Sequence, residues 1–442
     1  MNISLLLYFG VAGVFLITLV NPFYALPIFI FGHFFQPVQF FPGIQQYNVS
    51  LLMGVGVIAG WIIHFVFSGN LNSSKNNIMV KVVLLLLIWS IISTILNPEA
   101  TWSYFYYLLG SIIPFFLFVY LIKTREQLIT ILWVLLIMGV IAALYGIYCA
   151  KANIGINDRG IVRITSFMHN PNAYAHSIVL LVPMAIAFLL YYKKKKYKLL
   201  LSFFIFSLVV GLMLSYSRNS FPPLAFFLLF TPFMYYRGNK KILAIVITII
   251  LLPIFYYALP DKVKWRYTNR ILNTFQAQSL EEIDLGRVET IRAGWRMMFQ
   301  NPIFGVGIGA FGLEYADISQ RSSDIQFVES RYDEGRGLNA HNLYVEVGGQ
   351  LGIAGLMIYL FLLFLAYKNA SRAANKFNDL GDETLRAISV SFKAFIIGFM
   401  LLGLFNRGLN TEMFWIAMAL IVVLDRLLQQ RLHDAEQNHE VV

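Results

Sequence analysis

Three residues between positions 218 and 341 have side chains suited to binding a phosphorylated substrate and transferring a proton. Arg218 and Arg287 carry guanidinium groups, which bind phosphate through two parallel hydrogen bonds and stay charged at any pH. His341 carries an imidazole, which exchanges a proton near neutral pH and can take one from a sugar hydroxyl. The residue types therefore fit a transfer reaction in which two cations hold an anionic leaving group and a histidine serves as the base.

Each of the three also has a structural interpretation that the residues alone leave open. Arg218 ends an apolar run, so its side chain can reach the lipid headgroups instead of a substrate. Arg287 has the carboxylate of Glu289 nearby for a surface ion pair. His341 can be a boundary residue bonded to its neighbour Asn342.

A second polar segment, residues 167–176, contributes rival and supporting residues. His169 and His176 are alternatives to His341 as the base, because all three fall on the same predicted side of the membrane. Contacts to sugar or carrier are expected from His169 together with Asn170 or Asn172, and from Asn342 beside His341.

The composition determines what kind of element must position these residues. Of 442 residues, 58% are hydrophobic and 13% are charged, whereas an ordinary soluble domain has about 25% charged residues. Too few charges remain to coat a water-facing surface, so the chain is predicted to be an all-α polytopic integral membrane protein. The formal net charge of +11 is attributed to loops rich in Lys and Arg, not to nucleic-acid binding.

Apolar runs of helix-spanning length predict about twelve transmembrane helices. The segment 22–41 is apolar too, but Pro22, Pro27 and Pro37 interrupt it, which favours a broken or re-entrant piece. The predicted spans are 3–20, 49–68, 81–97, 103–122, 128–150, 175–192, 198–215, 219–236, 241–259, 341–367, 387–406 and 412–428.

The distribution of Lys and Arg over alternate short connections sets the orientation, because cytoplasmic loops carry the excess. It predicts a multi-pass protein of the cytoplasmic (inner) membrane whose candidate residues face the periplasm. The predicted divisions are an N-terminal bundle of about nine spans (1–259), a periplasmic loop domain (260–340), three C-terminal spans (341–428) and a cytoplasmic tail (429–442).

The loop domain is nearly neutral, with ten basic and eleven acidic residues, and reads as a folded water-facing segment. Residues 286–300 are predicted to form an amphipathic helix that lies flat on the outer leaflet. Its charged side would carry Arg292 and Arg296 in a solvated face. Its apolar side would be formed by Val288, Ile291, Trp295, Met298 and Phe299.

Several familiar cofactor signals are missing or misleading. Gly307-Ile-Gly-Ala-Phe-Gly312 matches a dinucleotide fingerprint, but it has no βαβ context and is predicted to face outward. The segment from Asn301 to Gly309 is interpreted as a tight turning loop. No Asp-x-Asp pair occurs to hold a metal-bound nucleotide sugar, and the single cysteine, Cys149, excludes a disulfide within the chain. Neither a cofactor nor a metal ion is expected, and His33 and His64 are expected to be structural or interfacial.

The ordered elements resemble those of the O-antigen ligase family, which is similar in architecture to multi-span, lipid-sugar-dependent glycosyltransferases. The resemblance is strongest over residues 200–360 and rests on several motifs in sequence order. They are Ser217-Arg218, Gly286-Arg287, Asn301-Pro302, Gly305-Val-Gly307, His341-Asn342 and Gly352-Ile-Ala-Gly355.

The resemblance implies metal-independent transfer of a glycan from undecaprenyl diphosphate to an acceptor hydroxyl, in lipopolysaccharide or polysaccharide biosynthesis. Lipid A-core is the expected acceptor; a growing glycan or a protein are alternatives. Position by position, Arg218 and Arg287 match arginines that bind the diphosphate, and His341 matches the proposed base.

Three alternatives stay open from the sequence. A polysaccharide repeat-unit polymerase or a protein O-glycosylation ligase would use the same donor site. A lipid-linked glycan transporter or flippase is a third possibility, although no internal repeat supports it and few ionisable residues occur inside the spans.

Overall fold

The structure, a computed structural model, describes most of the chain. The described residues are 3–36, 49–68, 77–97, 102–158, 161–168, 170–236, 238–242, 280–322, 340–406 and 411–440, with isolated positions between 246 and 268 and at 325 and 409. The predicted span 241–259 falls almost entirely outside them, as does residue 169.

Within these residues the chain forms fifteen α-helices, two 3-10 turns at Pro22–Tyr24 and Arg218–Ser220, and one short hairpin. The helices are α1 (Ile3–Val20), α2 (Ala25–Phe34), α3 (Val49–Ser68), α4 (Ile78–Leu96), α5 (Trp102–Leu121), α6 (Arg125–Lys151), α7 (Pro171–Val179), α8 (Val182–Tyr191), α9 (Lys195–Leu214), α10 (Phe221–Tyr235), α11 (Leu280–Gln300), α12 (Phe311–Arg321), α13 (Leu343–Asp379), α14 (Glu383–Gly403) and α15 (Glu412–Glu440). The hairpin strands are β1 (Ile156–Asp158) and β2 (Ile161–Arg163), antiparallel, with Ile156 opposite Arg163.

Seven helical segments among the described residues are long and apolar enough to cross a membrane. They are Ile78–Leu96, Tyr104–Leu121, Arg125–Lys151, Pro171–Tyr191, Lys195–Leu214, Leu343–Asp379 and Glu383–Gly403. The prediction of an all-α multi-pass membrane protein is confirmed, and the count of twelve spans stays a prediction.

Polar contacts mark one end of the helix bundle. Arg125 at the start of α6 pairs with Asp382 before α14, with 3.2 Å between Nη2 and Oδ1. Thr384 Oγ1 donates to the Tyr191 hydroxyl at the end of α8, at 2.8 Å. Helices α6 and α14 therefore begin at this end and α8 ends there, while α9 and α13 border on it through short connections. The opposite end, called the site end below, receives the ends of α6, α9 and α14 and the starts of α10 and α13.

The structure differs from the sequence predictions at three places. The 219–236 span begins at Phe221 because Pro222 and Pro223, which lack N–H groups, suit a first helical turn, and the residues before it form the 3-10 turn. Helix α15 continues to Glu440, well into the predicted tail, since the tail is rich in helix-forming residues. The hairpin was not predicted; β-branched residues flank a short polar turn there. The segment from Pro22, in contrast, is broken as predicted.

Helix α13 is interrupted near its start at Gly352, whose φ of 72° and ψ of −178° no other residue type adopts readily. An added Cβ there would lie 2.3 Å from the carbonyl oxygen of Ile303. The break frees the carbonyls of residues 349–351 from the helix, so they need other donors in this buried setting.

The loop between α11 and α12 supplies most of those donors. The N–H of Val306 donates to Gly349 O at 2.9 Å, and the N–H of Gly307 donates to Gln350 O at 3.0 Å. The Trp89 indole donates to Leu351 O at 3.0 Å. Residues 301–309 therefore form a turning loop, as predicted, and this loop covers the break in α13, whereas Gly312 lies in the first turn of α12.

Helix α11 packs on the first turns of α13 through small residues rather than through the predicted apolar side. A Cβ on Gly294 would lie 2.4 Å from Val345 Cγ1, and one on Gly348 would lie 2.4 Å from Met298 Sδ. Trp295 and Phe299 stack on each other and are 45% and 66% exposed. Of the predicted apolar side, Met298 is buried while the two aromatic rings face outward, because only the small residues let the two backbones approach.

Candidate functional site

The turn between α9 and α10 presents Arg218 at the site end. Ser215 closes α9, Tyr216 adopts a φ of 54°, and Arg218 opens the 3-10 turn. Ser217 and Asn219 are buried, whereas Arg218 between them is exposed. The buried side chains of Ser217 and Asn219 thus anchor the turn, and the Arg218 side chain points outward.

Arg287 reaches this turn from α11. Its Nη1 and Nη2 donate to Asn219 Oδ1 at 3.5 and 3.4 Å. Asn219 Nδ2 in turn donates to the Phe405 carbonyl at 2.8 Å. Arg287 thus contacts the residue that directly follows Arg218, so the two segments that carry the predicted phosphate-binding arginines meet here.

His341 is tied to the same helix one turn further along. Thr290 Oγ1 lies 3.1 Å from Arg287 O and 3.4 Å from the carbonyl of Ala340, the residue before His341. His341 is half-buried and has a φ of 52°, a region in which histidine is among the more frequent side chains. One turn of α11 therefore contacts both the Arg218 turn and the entry to His341.

Asn342 caps the N-terminus of α13. Its Oδ1 accepts from the N–H groups of Tyr344 and Val345 at 3.0 and 3.1 Å, and its Nδ2 donates to Leu404 O at 3.3 Å. The Asn342 side chain, predicted as a substrate contact, thus caps α13 and orients the backbone at His341.

The turn that follows α14 joins these parts. Its carbonyls at Leu404 and Phe405 accept from Asn342 and Asn219, as described above. Asn406 Nδ2 lies 2.8 Å from Nδ1 of His176 on α7. His176 is buried, this contact engages its Nδ1, and His176 stays an alternative to His341 as the base.

The start of α7 holds the other predicted contacts. Asn170 caps α7 through its Oδ1, 2.7 Å from the N–H of Asn172. Asn172 Oδ1 accepts from Arg163 Nη2 at 2.9 Å. His169 lies outside the described residues.

Arg163 and Asn219 are two polar residues of the site end that the sequence interpretation did not single out. A signal for Arg163 was available, because it is one of few basic residues in the short connections predicted to face away from the cytoplasm. Asn219 had no such signal, since a buried amide beside an arginine is recognised only from its partners.

A separate polar cluster joins His33, Ser177 and Glu412. His33 Nδ1 lies 2.6 Å from Glu412 Oε2, and its Nε2 lies 3.1 Å from Ser177 Oγ. The atom order matches that of hydrolase triads, but Ser177 lies inside α7, whose backbone N–H groups donate within the helix. The cluster is therefore a link between α2, α7 and α15, in line with the structural role predicted for His33.

Among the described residues, no group of three or more His, Cys, Asp or Glu side chains is placed to hold a metal ion. The polar groups at the site end are Arg163, Arg218, Arg287, His341 and several amides, together with the buried carboxylates of Glu289, which pairs with Arg292, and of Glu346 in the first turn of α13, so the basic groups outnumber the acidic ones. Such a set is suited to an anionic substrate.

The fold and the site end thus define a multi-pass helical membrane protein with a cationic site at one end of its bundle. Residues 203–360, less than half of the chain, match the family model described as O-antigen ligase. The matched range contains Arg218, Arg287 and His341, and it confirms the resemblance inferred from the motifs. The family indicates a membrane glycosyltransferase of the ligase or polymerase type, with a lipid-linked glycan donor and an acceptor. No curated protein matches the chain.

Proposed function

We propose that this protein transfers a glycan from undecaprenyl diphosphate to an acceptor hydroxyl, such as that of lipid A-core, at the periplasmic face of the cytoplasmic membrane. The observation that carries the proposal is the contact between Arg287 and Asn219, which brings Arg287 to the turn that contains Arg218, about seventy residues earlier in the chain. The match to the O-antigen ligase family over residues 203–360 supports the same chemistry.

In this mechanism Arg218 and Arg287 bind the diphosphate of the carrier. Negative charge on the diphosphate grows as the bond to the sugar breaks, so cations fixed beforehand stabilise the transition state more than the bound donor. Arginine suits the role because a planar fork can contact two phosphate oxygens at once.

His341 removes the proton from the acceptor hydroxyl as that oxygen attacks the anomeric carbon. One direct displacement inverts the configuration at that carbon. The left-handed backbone at His341 and the cap at Asn342 are held by α11 and by the turn after α14, which supports a fixed position for the imidazole.

The test is an in vitro transfer assay with the full-length protein in nanodiscs. The donor is a defined undecaprenyl-diphosphate oligosaccharide, EDTA is present, and products are read by mass. We expect wild-type protein to form a glycosidic product and His341→Ala to lose at least about 100-fold in rate. His433→Ala is the matched control, since His433 is an exposed histidine on α15 beside Gln437.

The product distinguishes the remaining alternatives. A single transferred block indicates a ligase, and a ladder built from single-repeat donor indicates a polymerase. Full activity of His341→Ala would contradict His341 as base and direct attention to His169. Movement of donor across the bilayer without any new linkage would contradict the transferase and favour a flippase.

A further inference from the structure

Arg163, the last residue of strand β2, connects three segments that are separate in sequence. Its Nε donates to the backbone carbonyl of Ser215 at 3.2 Å, and its Nη2 donates to Asn172 Oδ1 at 2.9 Å. Nε and Nη2 share one edge of the planar guanidinium, so one rigid group holds both acceptors. The hairpin, the first turn of α7 and the end of α9 are thereby joined at a single side chain.

The orientation of the Ser215 carbonyl influences the conformation of the turn that follows it. Ser215 is fully buried, and its hydroxyl donates to Leu212 O at 2.6 Å and accepts from the N–H of Ser217 at 3.2 Å. Between them, Tyr216 takes a left-handed φ of 54°, which an L-residue holds only when its surroundings require it. A donor on the Ser215 carbonyl therefore helps to determine the direction in which the chain enters the Arg218 turn.

A neutral or shorter side chain at position 163 would not make both of these hydrogen bonds. Without the guanidinium, the Ser215 carbonyl and the Asn172 amide oxygen would each lose a charge-assisted hydrogen bond. Lysine would keep the charge but offers a single ammonium on a flexible stem, which cannot reproduce a two-pronged, planar contact.

We propose that Arg163 is a positioning residue for Arg218: by holding the Ser215 carbonyl it keeps the left-handed turn at Tyr216 and so places the Arg218 guanidinium against the diphosphate of the donor. The part of this inference that concerns the diphosphate rests on the proposed function. The part that concerns the turn does not, and the two are tested separately.

The first experiment measures hydrogen exchange of the full-length protein in nanodiscs. Arg163→Gln should speed amide exchange in residues 214–220 by about tenfold or more relative to wild type, with little change in α13. Arg321→Gln is the matched control, because Arg321 is 79% exposed and pairs only locally with Asp317. Unchanged exchange in 214–220 would overturn the proposal whether or not the protein transfers glycans.

The second experiment measures kinetics with the defined undecaprenyl-diphosphate donor. Arg163→Gln should lower kcat by about 10- to 100-fold while KM for the donor changes little, since the misplaced group acts mainly in the transition state. Arg163→Lys should not restore kcat. Wild-type kcat in either variant would overturn the proposal.

A double-mutant cycle separates positioning from general damage to the fold. In an Arg218→Gln background, Arg163→Gln should cause less than about a twofold further loss, because both substitutions act through the same guanidinium. Fully additive losses would overturn the proposal. If Arg163→Gln does not fold, Arg163→Lys carries the same comparison. An inactive wild-type protein would refute the proposed function but leave the exchange experiment decisive for the turn.

Discussion

Arg287 and Arg292 stand on the same helix, yet their surroundings differ. Arg287 is half-buried and contacts Asn219 on a distant turn. Arg292 pairs with Glu289 three residues away and is 47% exposed. At the scale of single residues, a long-range partner distinguishes Arg287, a candidate site residue, from Arg292. The sequence interpretation expected Arg292 to lie on a solvated face.

This difference predicts that replacing arginine by lysine lowers the rate of glycan transfer at position 287 but not at position 292. Arg287→Lys should slow glycan transfer by roughly 10²–10³, because an ammonium cannot contact Asn219 and two phosphate oxygens together. Arg292→Lys is the control and should stay within about twofold of wild type, since lysine keeps the positive charge beside Glu289. Initial rates at saturating acceptor measure both, and equal activity of the two variants would refute the role given to Arg287.

At the scale of elements, the break in α13 and the loop after α11 form one unit. The loop seals the carbonyls that the break frees, and the short first part of α13 then carries the cap at Asn342. A glycine at 352 is required both by its backbone conformation and by the Ile303 carbonyl against it. The position of His341 therefore depends on a loop about forty residues earlier.

Two glycines allow the effect of the positive-φ backbone conformation to be separated from the effect of close packing. Gly352 and Gly381 have nearly the same φ, 72° and 71°, but a Cβ at Gly381 would meet nothing within 4 Å. Gly381→Ala should cost about 1 kcal/mol from backbone strain alone. Gly352→Ala should cost about 3 kcal/mol or more, because a backbone clash is added. Melting temperatures in detergent test the order, and equal losses would contradict the packing described for the loop.

At the scale of the whole molecule, polar side chains join segments from opposite ends of the sequence. His33 links α2 to Glu412 on α15 and to Ser177 on α7, across 379 positions of the chain. Charged groups near the membrane interior need such partners, because unpaired they are costly to desolvate. The cluster therefore holds the broken N-terminal segment against the helices that carry the site.

Glu412→Gln should weaken this link by about 1 kcal/mol, since Glu412 is 35% exposed and solvent screens part of the interaction. The expected result is a lower melting temperature in detergent, with greater protease access to the segment around α2. Glu436→Gln, an exposed position on the same helix, is the matched control. An unchanged melting temperature for Glu412→Gln would show that the cluster does not stabilise the bundle.

The sequence by itself determined the class of the protein and most helix positions. Apolar runs predicted α1 and α3 at the observed bounds, because a spanning helix satisfies its own backbone hydrogen bonds and its length follows from the bilayer. The ordered motifs were sufficient to predict the match to the O-antigen ligase family model, since all of them lie within the matched residues 203–360.

Only the tertiary structure decided which residues meet. The contact of Arg287 with Asn219, the turn after α14 that receives Asn342, and the fork of Arg163 all join residues far apart in the chain. The packed side of α11 was also decided at this level, because glycine and alanine allowed a close approach that hydropathy did not indicate. The hydropathy of a segment predicts whether that segment enters the membrane as a helix. Contacts between distant residues depend on how the helices pack and on which buried polar groups must then form hydrogen bonds with one another.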